Sequence, residues 1–82
     1  MTISEKKGWD KTVVAKVGNV KVREQEKRLF NLLSQGVKLE TASVILNHQP
    51  RWASGIVAKY ILDLDLPNVT AIVALLIRKG II

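Results

Sequence analysis

The chain contains no cysteine, one histidine and two prolines, and aromatic residues make up only 5% of it. Without cysteine there is no disulfide framework, no thiolate metal site and no cysteine nucleophile. His48, the single histidine, gives a histidine-based metal site no second ligand, and the seven carboxylates include no separated acid/base pair tied to a nucleophile. A glycine-rich phosphate loop is also missing. No enzymatic activity, cofactor or metal is therefore expected. Long apolar runs are absent too: no segment approaches the length that spans a bilayer, and the opening MTISEKKGWDKT lacks the apolar stretch of a signal peptide. These features, with the lack of cysteine, suit a cytoplasmic protein.

What the sequence does have is apolar content of 48% over 82 residues, enough for one domain with a single core. Thirteen Lys+Arg residues against seven Asp+Glu give a net charge of +6, and eight of the basic residues lie at or before Arg28. Such an excess attracts polyanions by counterion release and steering. Nucleic acid leads on this ground, ahead of an anionic membrane surface; the other reading is a small domain solvated by lysines.

The stretch from Leu39 to Leu64 organises the rest. Leu39, Ala42, Ile45 and Leu46 form one helical stripe, and Ala53, Ile56, Val57, Tyr60 and Leu64 form a second. Between them, Asn47 suits the left-handed end of a helix and Pro50 the first turn of the next. The pair reads as a helix-turn-helix or as an ordinary antiparallel helix pair.

Residues before this stretch divide at about residue 22. Met1 to Lys11 reads as a loose basic arm carrying Lys6, Lys7 and Lys11. Thr12 to Val22 favours β structure around Gly18-Asn19, a pair suited to a tight primed turn, so it forms either a short hairpin or an extended linker that packs its valines on the helices. A helix follows from Arg23, with Glu24 and Glu26 in its first turn, Leu29, Phe30, Leu32 and Leu33 on its core face, and Gly36 as its stop. After Asp63-Leu64-Asp65-Leu66-Pro67, Asn68 caps a last helix from Val69 to about Lys79, ended by Gly80. With Val69, Ile72, Val73 and Leu76 on the core, Ala71, Ala74, Leu75 and Ile77 remain for a second surface, most economically that of a partner subunit.

From Ser34-Gln35-Gly36 to its end the chain resembles the four-helix DNA-binding domain of LuxR/GerE-type bacterial transcription regulators. Leu32-Leu33-Ser34-Gln35-Gly36 stands where that family ends its first helix, and Ser43 and Leu46 match its small residue followed by leucine. Val57 matches a valine of its recognition helix. Leu64, Leu66, Asn68, Thr70, Val73, Arg78, Lys79, Gly80 and Ile82 fall on similar positions without a gap. Trp52-Ala53-Ser54-Gly55-Ile56 departs from the polar run that usually opens the recognition helix. VTAIVALLIRKGII also resembles the recognition segment of MarR-type winged-helix repressors, although it would present alanine and leucine to DNA.

The resulting expectation is an all-α, four-helix helix-turn-helix domain over residues 23–82, preceded by a basic arm or short β-ribbon over 1–22. The resemblance implies a small freestanding regulator that binds double-stranded DNA as a homodimer, its third helix in the major groove. Arg51, Ser54 and Lys59 are the groups able to reach bases or phosphates. Gly55 allows close backbone approach, Trp52 packs on the sugar-phosphate edge or in the core, and Lys38 with the arm adds backbone contacts. Ala71, Ala74, Leu75 and Ile77 form the expected dimer surface. The alternative is a protein-binding module that keeps the fold without reading bases, acting as an antagonist or adaptor of another regulatory protein. No membrane partner is expected.

Overall fold

The computed structural model describes residues 12–82, so Lys6, Lys7 and Lys11 lie outside the described residues. Two strands come first, β1 (Val13–Val17) and β2 (Val20–Arg23), followed by four helices: α1 (Glu24–Ser34), α2 (Leu39–Ile45), α3 (Trp52–Leu64) and α4 (Val69–Arg78). The domain is mostly helical with the four expected helices, and of the two expected forms of the leading segment residues 13–23 take the short β-ribbon, so the fold is not strictly all-α. Valines favour the pleated backbone, and Gly18, at φ +60, supplies the positive φ that a two-residue hairpin turn needs at its first position.

Both readings of the valine-rich segment meet in this ribbon. Val17 pairs with Val20, Lys16 with Lys21, and Ala15 with Val22, while a bulge between Val13 and Ala15 sets Val14 out of register. Val17, Val20 and Val22 then bury against Phe30, Val57, Tyr60, Ile72 and Leu76 in the main core. An isolated ribbon is marginal in water, and this shared core stabilises it.

Helix ends follow the local signals. After α1, Gly36 takes φ +90, its N–H bonds to the Leu33 carbonyl, and the Val37 N–H bonds to that of Leu32, as in a Schellman motif. Asn47, at φ 64, ends α2 in the same way, with the His48 N–H on the Ser43 carbonyl at 2.9 Å. The Asn68 side chain accepts from the Ala71 N–H at 2.9 Å and caps α4. Pro50 lies in the turn before the N-cap Arg51, two residues ahead of the first helical residue Trp52 rather than in the first turn expected of it.

Two stripe assignments change. Ile45 is 53% exposed, because the buried line of the seven-residue α2 runs through Leu39, Ala42, Ser43 and Leu46. Leu75 is half-buried and packs on the main core beside Ile72 and Leu76, so only part of its side chain is left outward. Among the described residues, no single helix is long and apolar enough to cross a membrane. The α3–α4 pair has the combined length and composition, but it bends by 69° and turns its apolar sides to the shared core.

Candidate nucleic-acid interface

Core packing decides which face of α3 looks outward. Ala53, Val57 and Tyr60 are buried, with Ile56 and Leu64 half-buried beside them. The 3.6-residue repeat therefore leaves Arg51, Ser54, Gly55, Ala58 and Leu62 on the exposed side. Gly55 stands in its middle, and a Cβ added there would meet nothing within 4 Å. A glycine inside an exposed helix costs about 0.5 to 1 kcal/mol relative to alanine, and no neighbour among the described residues accounts for it.

One buried hydroxyl joins α2 to the start of α3 beside their apolar contact. Ser43 Oγ accepts the Ala53 N–H at 3.0 Å, and it lies 3.0 Å from the Leu39 carbonyl and 3.2 Å from that of Pro50, to either of which it donates. The first turn of a helix has N–H groups without helical partners, and Arg51 offers no side-chain cap. Ser43 thus caps α3 from α2, a role that could not be read from α3's own sequence.

Trp52, in the first turn of α3, is half-buried. Its indole stacks on the His48 ring at 3.9 Å and 7°, and His48 Nε2 lies 3.3 Å from the Gln25 side-chain oxygen. It also packs beside Leu29, Ala42 and Ala53. Its main occupation is thus to close the turn between α2 and α3.

A polar hub ties α3 to the start of α1. Glu26 is 4% exposed; its Oε1 accepts from the Tyr60 hydroxyl at 2.6 Å and from the Arg23 N–H at 3.3 Å. Its Oε2 lies 3.6 Å from Lys59 Nζ and 3.8 Å from the Arg23 guanidinium. Burial first, then the hydrogen bond to Glu26 and the charge of that carboxylate, push the Tyr60 phenol far above its usual range. A buried carboxylate is tolerable because it is hydrogen-bonded and paired. The hub joins two distant stretches of sequence: Glu26 and Tyr60 are separated by 34 positions.

Of the expected DNA-contacting residues, Arg51, Ser54 and Gly55 share the outer face of α3. Lys59 sits on its flank, turned to Glu26. Lys38 is exposed on another element, immediately before α2. On α4, Ala74 and Ile77 are exposed and Ala71 is half-buried, beside Leu75 on the core side. No group of three or more His, Asp or Glu side chains that could hold a metal occurs among the described residues.

These features define a mostly helical domain of four helices and a two-stranded antiparallel sheet, with the outer face of α3 as its candidate interface. No family model, no curated protein and no solved structure matches the chain.

Proposed function

We propose that this protein is a small transcription regulator that binds double-stranded DNA as a homodimer, with α2 and α3 as a helix-turn-helix and the outer face of α3 in the major groove. The observation that carries this reading is the outer face itself: Arg51, Ser54, Gly55 and Ala58 are exposed, Gly55 has open space around it, and no acidic residue occurs from Trp52 to Leu62. A small-residue helix face permits close approach to a groove, Arg51 is placed at the helix start to contact a base or phosphate, and Ser54 is a hydrogen-bonding group. The net charge of +6 supports the same partner. The resemblance to LuxR/GerE-type domains points the same way. For the dimer, Ala74 and Ile77 on the exposed side of α4 are the surface for a second copy, with only the outward part of Leu75 beside them.

A protein-binding role is favoured by a different observation. Leu62 is 82% exposed, Val44 58% and Ile45 53%, large apolar groups that offer no hydrogen bond to a base or phosphate and suit an apolar protein surface. A mobility-shift assay with mixed-sequence and selected duplexes at several salt concentrations separates the two. Salt-sensitive binding with a preferred sequence supports the regulator. Absence of binding at low salt refutes it and leaves the protein-binding module.

A further inference from the structure

A second basic feature lies beside the outer face of α3, where the ribbon meets that helix. In β2 the period of two buries Val20 and Val22 and turns Lys21 and Arg23 the other way. Asn19 precedes them in the turn, and Lys59 and Asp63, one helical turn apart on α3, stand opposite. Together with Val20 they line a cavity of about 410 Å³, within the range of small-ligand sites. Three of its lining residues are cations and one is an acid.

Two details of the structure show cationic groups held without full compensation. Arg23 Nε is buried and has no hydrogen-bond partner among the described residues, so the guanidinium is held at a cost that its contact with Glu26 does not fully offset. Lys16 and Lys21 are direct cross-strand partners, and like charges placed opposite each other weaken a ribbon. Glu26 balances the charge only in part. Its distances of 3.6 Å to Lys59 and 3.8 Å to Arg23 are those of attraction without a shared hydrogen bond, which leaves the ammonium and guanidinium donors for a ligand.

We propose that this cavity is a binding site for a phosphate group, held by Lys21, Arg23 and Lys59 with the Asn19 amide as a further donor. A phosphate in the cavity accepts from the terminal guanidinium N–H groups of Arg23, whose side chain is 40% exposed, and from the Lys21 and Lys59 ammoniums, and it offsets the repulsion between the ribbon lysines. A backbone phosphate of DNA and a free phosphate ester share this chemistry. Only the first source rests on the DNA reading above; the site itself does not.

The test follows the Arg23 Nε–H and Lys21 amide signals of the full chain by ¹⁵N-edited NMR as sodium phosphate is added, with sodium chloride at matched ionic strength as the control and a short DNA duplex as the second ligand. Saturable movement with phosphate and not with chloride is expected. Lys21→Gln should weaken it about tenfold or more, as loss of one hydrogen bond to a charged group implies. Lys21 is exposed, so circular dichroism of this variant should match the parent. A duplex that moves the same signals, in competition with phosphate, identifies a backbone phosphate as the source. Phosphate binding without a duplex response supports the site and identifies a free phosphate ligand, even if the mobility-shift assay finds no DNA binding. No saturable response to either phosphate or duplex, an equal response to chloride, or parental affinity in Lys21→Gln and Lys59→Gln overturns the proposal.

Discussion

At the scale of single residues, the structure depends on two hydroxyls that the core could not replace with methyl groups. Ser43→Ala leaves the Ala53 N–H without an acceptor in a fully buried position, which should cost about 1 to 3 kcal/mol. Urea unfolding of parent and variant measures this directly, and an unchanged midpoint would mean that Ser43 does not brace α2 to α3. Tyr60 contributes in a pH-dependent way. Its phenol is held protonated in the fold, whereas in the unfolded chain it ionises near pH 10. The folded value is raised, so this contribution is complete below about pH 10 and is lost as pH rises further, at about 1.4 kcal/mol per pH unit. Tyr60 is the only tyrosine, so phenolate absorbance reports on it alone. That absorbance should appear together with loss of helical dichroism; phenolate forming near pH 10 in a still-helical protein would contradict the buried bond to Glu26.

For a whole element, the proposed DNA reading sets stability against binding in α3. Gly55→Ala adds a methyl group into open space on a helix whose backbone suits alanine. The variant should be more stable by about 0.5 to 1 kcal/mol and should bind duplex DNA less tightly, because the added methyl group stands between backbone and groove. Thermal unfolding and mobility shift read the two effects on one sample. A stabilised variant with parental DNA affinity would remove close approach as the reason for Gly55. Element ends were legible in the sequence, since Gly18, Gly36, Asn47 and Asn68 act on their immediate neighbours. The rotation of each helix about its axis was less so. Ile45 and, in part, Leu75 depart from their expected roles because the facing elements, not the helix's own pattern, decide which side is covered. Ser43 on Ala53 and Glu26 on Tyr60 escaped for a related reason: each joins separate elements, and no periodicity encodes the partner.

On the scale of the molecule, the ribbon, α1, α3 and α4 share the main core while α2 packs on α1 and α3 through a smaller cluster of Leu29, Ala42 and Ala53, and the candidate interface was legible only in part. Arg51, Ser54 and Gly55 fall together as their helical spacing predicts, whereas the cavity at Lys21, Arg23 and Lys59 needed the ribbon to fold onto α3. A dimer through α4 should now be tested at Ile77, whose side chain is 54% exposed. Ile77→Glu places two carboxylates near a two-fold axis without disturbing the core. Sedimentation should give a dimeric parent and a monomeric variant with unchanged circular dichroism. A monomeric parent, or a dimeric variant, would exclude this face as the interface. The bulge at Val13–Val14 bears on association of another kind. Among the described residues the ribbon has an open strand edge, which invites uncontrolled pairing with further chains and the growth of aggregates. By pushing Val14 out of register beside the charged Lys16, the bulge bends that edge, so an incoming strand meets only a short flat run before the ladder fails.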